Sequence, residues 1–116
     1  MNNTDKKYEA LFTPWKIGNV EIKNRIVMCP MGGTSLFGWF ELGGCHFDKE
    51  AAKLFLERAN NNVGLIIPGI APLRDTFWGK WLWQNPKMFE DLKEFMDEIH
   101  KTGAKLFIQL TAGMGR

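Results

Sequence analysis

Cysteine, tyrosine and blocks of like charge are all scarce in this 116-residue chain. Its two cysteines, Cys29 and Cys45, are too few and too far apart for a zinc knuckle or a cluster-binding repeat, so no metal site is expected. The single tyrosine, Tyr8, precedes all regular patterning. Lys and Arg alternate with Asp and Glu to a formal net charge of +2, which leaves no basic surface for nucleic acid. No apolar run is long enough to cross a bilayer, and residues 1–9 have lysines but no apolar h-region behind them. The expectations are no membrane and a cytoplasmic address.

What is there is a repeating pattern. Lys16-Ile17-Gly18-Asn19-Val20-Glu21-Ile22 alternates around a Gly-Asn pair, the signal of a short hairpin. Ile26 to Met31 is an apolar run of strand length ended by Pro30 and Gly32, as expected of a strand buried on both faces. Asp48 can cap a helix with core stripe Ala52, Phe55, Leu56 and Ala59, stopped by Asn60-Asn61-Asn62. Val63 to Ile67 is a second strand, broken by Pro68 and Gly69. Asn85-Pro86 opens a second helix with expected face Phe89, Leu92, Met96 and Ile99, acids early, His100 and Lys101 late, and Gly103 closing it. Lys105 to Leu110 is the third strand.

Three buried strands separated by two amphipathic helices are βαβαβ, and right-handed crossovers then require a parallel sheet. Doubly wound sheets and closed barrels both begin this way. In either, chemistry gathers at the carboxyl ends of the strands, here 29–33, 68–73 and 109–116. Arg116 falls where an α/β chain should be leaving a strand for its next helix, so the segment is expected to be the N-terminal portion of a longer parent.

Several pieces share their order and spacing with one family: Leu11-Phe12-Thr13-Pro14, Lys16-Ile17-Gly18, Ile22-Lys23-Asn24-Arg25-Ile26-Val27-Met28-Cys29-Pro30-Met31, Arg58-Ala59, Val63-Gly64-Leu65-Ile66-Ile67, His100 to Lys105, and Ile108-Gln109-Leu110. The set resembles the old yellow enzyme family (NADH:flavin oxidoreductases), and within it the branch of 2-enoate and 2,4-dienoyl-CoA reductases. The resemblance implies that residues 11–116, behind a polar tail over 1–10, are the first three strands and two helices of a (β/α)8 TIM barrel plugged below by the hairpin. It further implies FMN across the top, NAD(P)H as reductant and a small enone or enoate substrate. Homo-oligomerisation of the parent, and the 4Fe-4S and FAD domains known in this branch, are left open.

By the same resemblance, Cys29, Pro30, Met31 and Gly32 match the turn after the first strand whose backbone lies along the flavin. Gly69 and Ile70 match the end of the second strand, beside the ring. Gln109 matches a glutamine that pairs with the pyrimidine end, a task suited to an amide that both donates and accepts. A polar group within an apolar strand is costly unless paired, which points the same way. Many members follow that glutamine with a histidine; here the chain reads Thr111-Ala112-Gly113. The catalytic acid, the substrate anchors and the phosphate grip are expected beyond Arg116.

Other features carry blander expectations. Cys29 reads from its apolar neighbours as a small buried hydrophobe. His46 reads as a loop residue and His100 as a helix C-terminal cation. Phe77, Trp78, Trp81 and Trp83 form either a lid on the barrel or a hydrophobic wall for substrate. Two alternatives to a reductase remain: a truncated, non-catalytic piece of such an enzyme, and a dinucleotide-binding turn opening at Gly113-Met114-Gly115.

Overall fold

The computed structural model describes residues 7–31, 36–37, 46–73 and 81–112. A three-ten turn over Glu9–Phe12 leads into an antiparallel hairpin of β1 (Trp15–Ile17) and β2 (Val20–Ile22). Gly18 turns the hairpin at φ 56°, a left-handed value that costs glycine little. The repeating part follows: β3 (Val27–Met28), α1 (Lys49–Asn60), β4 (Leu65–Ile66), β5 (Ala71–Pro72), α2 (Pro86–Lys101), β6 (Lys105–Leu106) and β7 (Leu110–Thr111). Strands β3, β4 and β6 form one parallel sheet in that order, so the expected βαβαβ unit is present.

The helices begin and end for local reasons. Asp48 Oδ1 accepts from the backbone N–H groups of Glu50 and Ala51, both at 3.0 Å, relieving two of the unpaired donors at the start of α1. Asn62, at φ 72°, is the only non-glycine residue with positive φ among the described residues; it reverses the chain after α1. At α2, Pro86 occupies the first turn, while Asn85 at the N-cap makes no side-chain capping bond. Gly103, at φ 78°, follows the C-cap residue Thr102.

The helices bury one face of the sheet. Met28, Ile66 and Leu106 lie in register on three neighbouring strands and contribute to a core with Ala52, Phe55 and Ala59 of α1 and Met88, Leu92, Phe95 and Ile99 of α2. Each large side chain buried there stabilises the fold by about 1.5 to 3 kcal/mol. The face of α2 differs from expectation: Met88 and Phe95 are buried, and Phe89 is 43% exposed. Both stripes share Leu92 and Ile99, and the ring of Phe95 against Phe47, 5.6 Å between centroids, selects between them.

The third strand also departs from expectation, because it is two pieces instead of one. β6 pairs with β4, and β7 pairs in parallel with β5, a strand not anticipated because it contains Pro72. Leu65 and Ile66 pair with residues 40 positions later, Ala71 and Pro72 with residues 39 later. Four residues, 67–70, therefore oppose three, 107–109. That is a bulge at the carboxyl ends of the strands, and Pro68, with no N–H to give, lies within it.

The hairpin is stitched to the opposite, amino-terminal end by three consecutive residues. Lys23 Nζ donates to the carbonyl of Thr102 at the end of α2, at 2.8 Å, where a cation also complements the helix dipole. Asn24 Nδ2 donates to the carbonyl of Asn62 at 2.7 Å, and its Oδ1 accepts from Ile26 N–H at 3.0 Å. Arg25 Nε donates to Thr13 Oγ1 at 2.9 Å. The indole N–H of Trp15 donates to the carbonyl of Asn24 at 2.7 Å.

Candidate site at the carboxyl ends of the strands

The parallel register fixes which residues meet at the carboxyl end. Met28, Ile66 and Leu106 are neighbours across the sheet, so the residues that follow each of them leave the sheet side by side. Ile67 N–H donates to Met28 O at 2.9 Å, Phe107 N–H to Ile66 O at 2.9 Å, and Ala71 N–H to Gln109 O at 2.8 Å. Cys29, Pro30 and Met31, Gly69 and Ile70, and Gln109 are thereby gathered on one rim from three adjacent strands. Gly32, Cys45, Phe77 and Trp78 lie outside the described residues, as do residues 113–116, on which the dinucleotide-binding alternative rests.

Their environments differ. Cys29, Pro30 and Met31 are exposed and form an open shelf, so the expectation that Cys29 is a buried hydrophobe is corrected. A strand-length apolar run does not predict burial at the residue where the strand ends. Pro68 and Gly69 are buried and Ile70 half-buried. Gln109 is exposed, so burial does not by itself demand a partner for its amide; among the described residues its side chain makes no hydrogen bond.

The bulge leaves one polar group with an unusual status. Gly69 is buried, yet among the described residues nothing accepts a hydrogen bond from its N–H. Buried backbone donors are almost always paired, because an unpaired one costs about 1 to 3 kcal/mol. The proline-glycine break in an apolar strand was the available sign that the ladder would be interrupted there.

The rim can therefore present a backbone donor from Gly69, an amide with both polarities from Gln109, and a shelf of exposed backbone at Cys29–Met31. That set suits one edge of a planar heterocycle bearing carbonyl and N–H groups. No three His, Cys, Asp or Glu side chains among the described residues cluster as a metal site would require. A cavity of 380 Å³ lies elsewhere, between α1 and α2, and none of the rim residues lines it. No described helix is long and apolar enough to cross a membrane.

The sequence and the fold have counterparts among known proteins. The sequence model of the NADH:flavin oxidoreductase / NADH oxidase family matches residues 10–116. A cinnamate reductase from Clostridium sporogenes is 36% identical over 95% of this chain, which spans 17% of that protein. An NADPH dehydrogenase from Bacillus velezensis is 35% identical over 86% of the chain and 29% of its own length. Among solved structures, the old yellow enzyme of a Pichia species superposes on 87% of the chain and 26% of its own, with a TM-score of 0.63 and 25% identity. A 2-naphthoyl-CoA reductase shares the fold over 89% of the chain and 16% of its own, with a TM-score of 0.68 and 24% identity. The chain thus spans less than a third of each of these proteins.

Proposed function

Because this chain belongs to the NADH:flavin oxidoreductase / NADH oxidase family, we propose that residues 11–116 open an FMN-binding (β/α)8 barrel behind a polar tail over 1–10. The enzyme is a cytoplasmic reductase of activated C=C bonds in small enones or enoates, driven by NAD(P)H. The observation that carries this reading is the buried N–H of Gly69, unpartnered among the described residues, on a rim shared with Gln109 and Cys29–Met31.

FMN, when bound, would supply the redox chemistry, carrying a hydride from the nicotinamide to the β-carbon of the alkene while a proton goes to the α-carbon. This chain's residues would hold one edge of the ring. Gly69 N–H would donate to a ring acceptor and recover the cost of its burial. The Gln109 amide would donate and accept at the pyrimidine end. Cys29, Pro30 and Met31, with Gly32 following, lay backbone along the ring where a bulky side chain would hold it away. Ile70, half-buried beside Gly69, would pack next to the ring. In the proposed barrel the phosphate grip and the substrate anchors would come from later strands.

The test is the full-length protein, purified and assayed for FMN. Stoichiometric FMN, bleached anaerobically by NADH or NADPH and recoloured by an enoate, is the expected result. A folded protein without flavin would overturn the assignment. Iron and FAD content of the same preparation reads whether the protein carries the 4Fe-4S and FAD domains of the longer relatives.

A second reading applies to the 116-residue chain alone. Met31, Ile108 and Leu110 are exposed apolar residues at the rim, and β3 and β6 are sheet edges. Alone, the chain offers only one edge of the flavin site, so it is expected to be non-catalytic. Tight stoichiometric FMN binding by a soluble monomer of this length would reject that.

A further inference from the structure

We infer that the turn over residues 81–84 is an aryl-binding wall, which takes the planar aromatic end of the alkene substrate; this rests on the reductase reading above. The turn is tied to the site by consecutive hydrogen bonds. Ala71 N–H donates to Gln109 O, Leu73 N–H donates to Thr111 O at 2.8 Å, and Leu82 N–H donates to Leu73 O. Trp81 and Trp83 flank Leu82, which is 8% exposed and part of the core.

The turn is also held by hydrogen bonds within itself. Gln84 N–H donates to Trp81 O at 2.9 Å, Trp81 N–H to Gln84 Oε1 at 2.8 Å, and Asn85 N–H to Leu82 O at 3.1 Å. On this fixed support Trp83 is 73% exposed and Trp81 43% exposed. Trp15, at the other end of the sheet, is only partly exposed and hydrogen-bonded through its indole N–H. Anchoring an exposed indole beside a site pre-organises apolar area for a ligand and reduces the ordering cost of binding. Residues 81–86 carry no charge; of the cations flanking them in the sequence, Lys80 lies outside the described residues and Lys87 is paired with Asp91 at 3.1 Å. The two indoles offer a neutral apolar surface that suits a planar ring.

The experiment uses the full-length holoenzyme, with FMN content measured first. Trp83→Ala should raise KM for a β-aryl enoate about tenfold and leave KM for a β-alkyl enoate nearly unchanged. Trp83→Phe should recover most of the aryl preference. The dissociation constant of a saturated β-aryl acid, read from perturbation of the flavin spectrum, should rise in parallel, with melting temperature unchanged. If Trp83→Ala misfolds, Trp83→Gln keeps the bulk, removes the ring, and should show the same selectivity. Equal effects on both alkenes, or no effect, would overturn the wall. A lowered melting temperature without selectivity would overturn it too, by showing that a later segment of the chain covers Trp83. Flavin-free protein would instead reject the reductase reading on which the wall depends.

Discussion

At the amino ends of the strands Asn24 is 2% exposed and both ends of its amide are hydrogen-bonded, whereas at the carboxyl ends Gln109 carries the same functional group, exposed and without a bond among the described residues. The contrast extends to their surroundings. Below, Lys23, Arg25 and Trp15 each reach a partner; above, Gly69 keeps a buried N–H with none among the described residues. A buried amide must be paired or it destabilises the fold, so Asn24 serves stability. An exposed amide is hydrated at little cost and stays available, so Gln109 is free to serve a ligand. This is the division expected of a barrel, with stability at the amino face and chemistry at the carboxyl face.

The largest expected effect that would test this division is at Gly64. A Cβ there would overlap Asn24 Oδ1 and lie 3.1 Å from the Asn24 carbonyl oxygen. Gly64→Ala should destabilise the full-length protein by about 3 kcal/mol or more, measured by urea denaturation. A cost below about 1 kcal/mol would mean the lower end yields more readily than its hydrogen bonds imply.

Asn24→Ala should come next, at about 2 to 3 kcal/mol, because Asn62 O and Ile26 N–H each lose a partner. Flavin content per folded molecule should not change. The Asn24→Ala/Gly64→Ala double variant should cost less than the sum, since the worst overlap at Gly64 is with the side chain removed. Strict additivity would refute direct contact as the cause.

Gln109→Leu inverts the pattern. Its exposure predicts a stability change within about 0.5 kcal/mol, while FMN affinity should fall about tenfold and the flavin potential should shift. Unchanged flavin retention and potential in the folded variant would remove Gln109 from the site. The smallest effect is expected at Gly103, where φ 78° disfavours any side chain and a Cβ would meet only Lys23 Cδ, at 3.4 Å. Gly103→Ala should cost about 1 kcal/mol, without altering flavin binding.

Elements with one local cause were legible before the structure. Asp48, Gly18 and Gly103 carry their signals within a few residues, and the stripe Ala52, Phe55 and Ala59 has one helical solution. The face of α2 had two, and tertiary contact through Phe47 chose the one with Phe95. The strand β5 was hidden because two residues including a proline carry no periodicity, and pairing with β7 makes it a strand. Lys23-Asn24-Arg25 belonged to the family resemblance without visible roles, since their partners Thr102, Asn62 and Thr13 lie at three unrelated separations.

By itself the sequence determined the βαβαβ order of β3, α1, β4, α2 and β6 and the parallel sense of their sheet, because periodicity, caps and the handedness of crossovers are local or topological constraints. Only the tertiary structure decided what each rim residue is available to do. Whether Cys29 is covered, whether Gln109 must be paired, and whether Gly69 N–H finds an acceptor depend on strand register. The one-residue mismatch between 67–70 and 107–109 arises only when two distant segments are laid side by side.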